Sequence, residues 1–266
     1  WKITRNLTLN LGVRYELFTQ PVDARNLGSL FNVITGQYAL PGKGGYSRAI
    51  VDGDHNNFAP RIGFAWQAMP KLVLRGGYGI FYAVTPSIFT GTAFTQHGIQ
   101  VQSFTFNGAA IPVTYPNLLA GIPTTNRTPS LFVFSDDFRN PRTQQWNLSF
   151  ERQFGASTSI TLGYLGVKGV HLPRTRDINL FPAVPVTAPI QGGGSFTFYQ
   201  HPTLRPNPNY GRIWLADSGA DSTYHGAFVQ FTRRFSRSFQ VQTSLTWSHA
   251  IDDNPDATAV VFGTDD

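Results

Sequence analysis

The chain has 266 residues, with 21 Lys and Arg against 15 Asp and Glu, a formal net charge of +6 and a charged fraction of 14%, where an average soluble domain carries roughly 25%. Aromatics reach 14%, with 22 Phe and 10 Tyr beside 26 Gly and 18 Pro, a balance that argues against disorder. The absence of Cys excludes a disulfide scaffold, a thiol nucleophile and Cys-ligated zinc, and no stretch approaches the ~18 uncharged apolar residues of a spanning helix.

The period along the chain is two. A short strand tail is read at Trp1 to Ile3. The clearest segment follows over residues 7–18, where Leu7, Leu9, Leu11, Val13, Tyr15 and Leu17 alternate with Thr8, Asn10, Gly12, Arg14 and Glu16. Successive strand side chains point to opposite faces, so one face is apolar and the other polar or glycine. At about 3.4 Å per residue the segment spans about 40 Å, against about five or six residues for an ordinary soluble strand. Tilted by about 45°, it projects onto roughly 28 Å, close to the hydrocarbon thickness of a bilayer.

Six further segments repeat the pattern. Phe58, Pro60, Ile62, Phe64 and Trp66 alternate with Ala59, Arg61, Gly63, Ala65 and Gln67. Leu72, Leu74, Tyr78, Ile80 and Tyr82 are interleaved with Val73, Arg75, Gly77, Gly79 and Phe81. Trp146, Leu148 and Phe150 oppose Gln145, Asn147, Ser149 and Glu151. Ile160, Leu162 and Tyr164 come next, then Ala227, Val229 and Phe231, and finally Phe239, Val241, Leu245 and Trp247 against Gln240, Gln242, Ser244, Thr246 and Ser248. Seven strands and the tail of an eighth are predicted.

Very short turns are expected around Thr4-Arg5-Asn6, Met69-Pro70-Lys71, Gly155-Ala156-Ser157 and Ser236-Arg237-Ser238, alternating with long segments of roughly 19–56, 83–142 and 169–223. Structureless loops of that length are uncommon in compact domains. An antiparallel transmembrane β-barrel has this asymmetry by construction, with tight periplasmic turns at one rim and long extracellular loops at the other. Alternating runs inside the loops, Ile99 to Phe106 and Ser195 to Tyr199, read as hairpins above the membrane. Two aromatic girdles are expected at the interfaces: Trp66, Phe154, Phe235, Phe239 and Trp247 near the turns, and Tyr15, Phe18, Tyr82, Tyr164 and Tyr224 near the loop ends. Arg152 and Arg233 fall on the apolar face beside turns, where an Arg costs about 0–1 kcal/mol rather than the 2–4 of the bilayer centre. A soluble sandwich or propeller also alternates, but would have to accommodate both the strand lengths and the three long loops.

No catalytic, cofactor or metal constellation is read. The six His (55, 97, 171, 201, 225 and 249) are scattered without His-x-x-x-His spacing. Asp252-Asp253-Asn254-Pro255-Asp256 lacks the closing Gly and Glu of a calcium loop, and a solvated acidic loop is expected, with loop calcium left open. Gly76-Gly77-Tyr78-Gly79 lies within a strand and is no dinucleotide fingerprint; its glycines are expected to allow curvature or close approach inside a lumen. The basic residues are dispersed and form no nucleic-acid patch; a lumen, or anionic lipopolysaccharide, accounts for them as well. Trp1 is not Met and nothing near it has the regions of a signal peptide, so the expectation is an internal piece of a longer polypeptide, residues 1–266 belonging to one barrel domain.

Certain strings carry a family resemblance. Asn56-Asn57-Phe58-Ala59-Pro60-Arg61-Ile62-Gly63-Phe64-Ala65-Trp66 resembles a strand of TonB-dependent outer-membrane receptors, and Arg75 through Tyr82 is similar to the strand that follows it there. Asn140-Pro141-Arg142-Thr143-Gln144-Gln145-Trp146-Asn147-Leu148-Ser149, continuing to Gly163 through Gly169, and Tyr224 through Asp252 extend the likeness, which is greatest to the Oar-like receptors with a carboxypeptidase-regulatory-like domain. The resemblance implies a barrel of about 22 strands, of which this chain supplies about a third, in the outer membrane of a Gram-negative-type bacterium. It also implies an N-terminal plug and a segment that binds the TonB transducer, neither within this sequence. No family residue for substrate or transducer binding maps onto a position here.

The expected function is uptake or surface binding of an unidentified ligand, without enzymatic chemistry. Arg14, Glu16, Arg61, Arg75, Gln145, Asn147 and Glu151 are expected to face the lumen and meet plug or water. Tyr15, Phe58, Trp66, Tyr78, Trp146, Tyr164, Phe239 and Trp247 are expected to face lipid. A passive porin or adhesin-like barrel and a soluble carbohydrate-binding β-protein are the alternatives.

Overall fold

The computed structural model describes residues 1–26, 30–98, 102, 116–117, 128–236 and 238–253. Its elements run β1 (Leu7–Tyr15), β2 (Leu30–Asn32), β3 (Gln37–Ala39), β4 (Phe58–Met69), β5 (Leu72–Tyr82), α1 (Ser87–Thr95), β6 (Leu131–Phe134), β7 (Arg142–Phe154), β8 (Thr158–Asp177), β9 (Val184–Pro189), β10 (Ser195–Gln200), β11 (Ile213–Ser236) and β12 (Phe239–Asp252).

Seven strands form one antiparallel meander in the order β1-β4-β5-β7-β8-β11-β12. These are the seven strands predicted from alternation. A two-residue turn closes β4–β5, and Lys71 within it and Ser238 just before β12 take φ of 67° and 61°. Gly155 (φ 63°) supplies the left-handed residue between β7 and β8, a conformation glycine adopts without steric cost. The first strand ends at Tyr15, short of the expected residue 18. The Trp1 to Ile3 tail folds back on it, with the Leu9 N–H donating to the Trp1 carbonyl (2.8 Å) and Ile3 to Leu7 (3.0 Å).

Register keeps the two chemistries apart across the whole sheet. Leu7, Trp66, Leu74, Phe150, Leu162, Val229 and Leu245 form one continuous cross-strand row, apolar at every position. Gly12, Arg61, Gly79, Gln145, Val167, Tyr224 and Ala250 form a row on the opposite face. Because paired residues share a face, one slip in any pairing would exchange these two sets.

Where glycine interrupts the apolar face, a ring from the next strand covers it. A Cβ on Gly76 would lie 2.5 Å from the Phe64 ring, and one on Gly166 2.3 Å from the Trp146 indole. At Gly76 this differs from the expectation of curvature or close approach inside a lumen, whereas Gly77 lies on the polar face with no atom nearer than 3.4 Å to such a Cβ. Gly76 points to the apolar face, and on the other face Gly79 lies under the Phe81 ring, itself 4.5 Å beneath the Arg61 guanidinium.

The buried core lies at the loop end, not in the wall. β8 and β11 run to 20 and 24 residues, so the third loop is shorter than the expected 169–223. Beyond an irregular pairing at Leu172, with His171 at φ 57°, they keep pairing up to Asp177 and Trp214. There β6 joins the other edge of β11 in parallel. α1, which the strand period did not foreshadow, buries Phe89 and Ala93, one helical turn apart, against Phe132, Phe134 and Phe138. A second cluster joins Phe31, Leu131, Val133, Ile213 and Leu215. The expected Ser195 to Tyr199 run is β10, paired with β9 as a hairpin; the Ile99 to Phe106 run lies outside the described residues except for Gln102. No helix among the described residues is long and apolar enough to cross a membrane.

Candidate functional site

Two features of the chain can engage a ligand: the polar face of the wall and a cavity in the loop cap. Arg14, Arg61, Arg75, Gln145, Asn147 and Glu151 all project from the polar face, and Glu16 directly follows β1 in the same alternation, its N–H donating to the Asn57 carbonyl at 3.1 Å. They do not converge on a point. Arg75 pairs with Glu151 across strands (3.1 Å) and Arg14 with Glu16 along the chain (2.9 Å). Such pairs, each with at least one well-exposed partner, contribute little stability.

Tyr15, Phe58, Trp66, Tyr78, Trp146, Tyr164, Phe239 and Trp247 share the apolar face. Their levels differ from the two expected girdles. Trp247 pairs with Ala227, which pairs with Tyr164, so this Trp and this Tyr lie in one row rather than at opposite rims. Tyr224 projects from the polar face, opposite Val167. A strand's length in residues does not reveal how far its neighbour is displaced, and that displacement sets the level.

The cap is held by buried polar residues that the alternation pattern passed over. Asn57 donates to the carbonyls of Glu16 (3.1 Å) and Asp54 (2.8 Å), and Asn140 donates through its backbone to the Asp54 carboxylate (3.2 Å) and through its side chain to Asn57 Oδ1 (3.4 Å). This knot ties the first loop to the end of the second. A second knot closes the third loop. Asp177, its side chain wholly buried, accepts from Arg205 (2.5 Å) and from the backbone N–H groups of Asn179 and Ile213. Asn179 donates to the carbonyls of Asn207, Tyr210 and Gly211. Asp217 bridges Arg174 and Arg176, both at 2.8 Å.

A cavity of about 340 Å³ opens between β2, residues 45–52 and β6. Its apolar wall is Phe31, Ile50, Val51, Phe132 and Phe134; Tyr46, Ser47, Asp52, Ser135 and Asp136 bring polar groups to it. Asp52 and Asp136 are exposed and join no ion pair among the described residues. Arg48, the nearest cation in sequence, is turned away to Asn26 Oδ1 (2.9 Å) and the Asp23 carbonyl (3.3 Å). The site can hold an organic group by contact, with hydrogen-bonding and negative charge around it. Nothing in it resembles a nucleophile with its base. Among the described residues no three His, Asp or Glu gather in a way that could hold a metal ion. The cavity escaped sequence reasoning because β2, residues 45–52 and β6 are far apart in the chain and carry no motif.

Nothing among curated proteins matches the sequence. Among solved structures the chain is similar to the FrpB iron transporter of Neisseria meningitidis (F5-1 variant), with 12% identity and a TM-score of 0.41 over 96% of this chain and 26% of that one. The copper transporter OprC gives 11%, 0.43, 96% and 28%; the outer membrane transporter YddB from Escherichia coli gives 9%, 0.41, 76% and 20%. The chain thus spans between 20% and 28% of the length of these transporters. A family model described as outer membrane beta barrel domain matches residues 1–264. With that match across a meander of two segregated faces, the chain belongs to the outer membrane β-barrel domain family and its place is the outer membrane.

Proposed function

We propose that the chain forms part of the wall and extracellular cap of a TonB-dependent receptor of the Oar-like group, which captures an organic ligand in its loops and admits it along the polar face. The observation that carries this reading is the cap. The long loops and the strand ends beneath them form two buried apolar clusters, and the first two loops enclose a cavity at one end of the wall, while the strands meet in tight turns at the other end among the described residues. A passive pore needs the wall but gains nothing from an ordered, cavity-bearing lid. The polar-face residues Arg14, Glu16, Arg61, Arg75, Gln145, Asn147 and Glu151 would line the lumen and meet water or the plug of such a receptor. Family membership leaves the soluble carbohydrate-binding alternative without support.

The test is titration of the full-length receptor with the purified periplasmic domain of TonB, by calorimetry. A saturable complex that disappears when the segment before the plug is deleted is expected. A full-length protein that folds but takes up no TonB would sink energy coupling and leave the passive barrel.

A further inference from the structure

On the apolar face the small residues are covered by neighbouring rings, as Phe64 covers Gly76 and Trp146 covers Gly166. At Ala227 that arrangement breaks. Ala227 lies exposed between Tyr164 on β8 and Trp247 on β12, its direct cross-strand partners, yet neither ring closes over it. A groove of about 430 Å³ remains, with Leu148, Leu162, Val229 and Leu245 completing its sides.

The reason lies one row further toward the loops. The Tyr164 hydroxyl is hydrogen-bonded to His225 Nδ1 at 2.6 Å, and its ring stacks on the imidazole with centroids 6.1 Å apart. His225 in turn meets the edge of Trp146 at 6.2 Å. Tyr164 is thereby drawn toward the loop end and held off Ala227. The groove is a consequence of a polar tie, not of loose packing.

Above the groove the same face changes character. His225 and His249 pair in the next row, and Lys168, bonded to Asp221 at 3.0 Å, follows. Hydrocarbon-lined space below, imidazole and phenol at the next level and charge above is the order in which a membrane lipid presents chain, ester region and headgroup. We infer that this groove is a binding site for one acyl chain of an outer-leaflet lipopolysaccharide, with its headgroup beside His225, His249 and Lys168. The inference rests on the apolar face being the lipid face. It goes beyond general wetting of the wall, because a preformed slot retains its occupant when bulk lipid is removed.

Two measurements on the full-length receptor separate the groove from the face. In vesicles of phosphatidylcholine brominated along its chains, fluorescence from Trp247, isolated by difference with Trp247→Phe, should be quenched. Its absence would overturn both the assignment of the face and the groove. After detergent extraction from outer membranes, native mass spectrometry should show one retained lipopolysaccharide. Ala227→Phe fills the slot and should reduce that species about tenfold, the factor that follows from losing contact with two or so methylenes. Ala227→Leu should do the same more mildly, and Leu11→Phe, on the same face of β1, should not. His225→Ala, which frees Tyr164 to fall over Ala227, should act like Ala227→Phe. Quenching together with retention indifferent to both Ala227 variants, each with intact strand signal, would overturn the groove alone. So would a phospholipid as the retained species.

Discussion

Asn57 and Asn140 show how much one side chain decides in this chain. Both belong to the strings that carry the family resemblance, and both are almost wholly buried, Asn57 satisfying the carbonyls of Glu16 and Asp54 and Asn140 in turn satisfying the Asn57 side-chain oxygen. Alternation could not have revealed them, since polar residues outside a periodic run read simply as loop. Gly166 teaches the reverse lesson: it was read only as part of a motif, and its use is to seat an indole. A methyl there would meet Trp146 at 2.3 Å. Gly166→Ala is therefore expected to destabilise the barrel by about 1–3 kcal/mol through overpacking, read as a lower melting temperature in detergent. His97 and His171 are both held below the ordinary imidazole range, chiefly by burial; the guanidinium groups of Arg142 and Arg139 add to the effect at His171, beyond the bulge of β8. A group whose folded pKa is depressed binds its proton more readily when unfolded. Its contribution to stability is thus full above about pH 6.5 and is lost as pH falls below that value. Hydrogen-exchange protection factors, each rate taken relative to the intrinsic rate at that pH, should fall at the cap amides around α1 and β6 between pH 7 and 5, while those of β4 and β5 stay unchanged.

The strands were legible because burial on one face alone imposes a period of two on the sequence. The elements that were missed are those whose apolar partners lie elsewhere in the chain. α1 has no capping side chain and no acidic residue in its first turn, and its helical form rests on Phe89 and Ala93 finding β6 some forty positions later. β8 and β11 exceed their expected length because the pairing above the membrane needs no alternation: Arg174 and Arg176 converge on Asp217 instead. Asp177 marks the end of that extension and the start of the latch over residues 178–212. Asp177→Asn removes the charge that Arg205 and two backbone donors share, with an expected cost of about 1.5–3 kcal/mol for charge-assisted hydrogen bonds. The loss should be local. Limited proteolysis is expected to cut within 178–212 many times faster in the variant, with the wall strands still protected, and cleavage spread evenly over the chain would refute the latch.

At the scale of the whole molecule, wall and cap answer to different solvents. The wall has two faces and almost no buried interior, so its stability must come from what surrounds it, whereas the cap carries an interior of its own. That division explains why the wall's sequence is so readable: each residue faces one of two media, and the choice alternates. The consequence can be tested by placing the same charge on adjacent residues. Leu162 and Thr161 are neighbours on β8, paired with Phe150 and Val229 on one face and with Glu151 and Gln230 on the other. If the apolar face meets lipid, Leu162→Arg puts a guanidinium in the hydrocarbon layer at about 2–4 kcal/mol, while Thr161→Arg places it in water beside a carboxylate. Folding yields in vesicles should fall steeply for Leu162→Arg and stay near the parent for Thr161→Arg. Equal yields would mean that both faces see the same medium, and the barrel placement of this sheet would have to be abandoned.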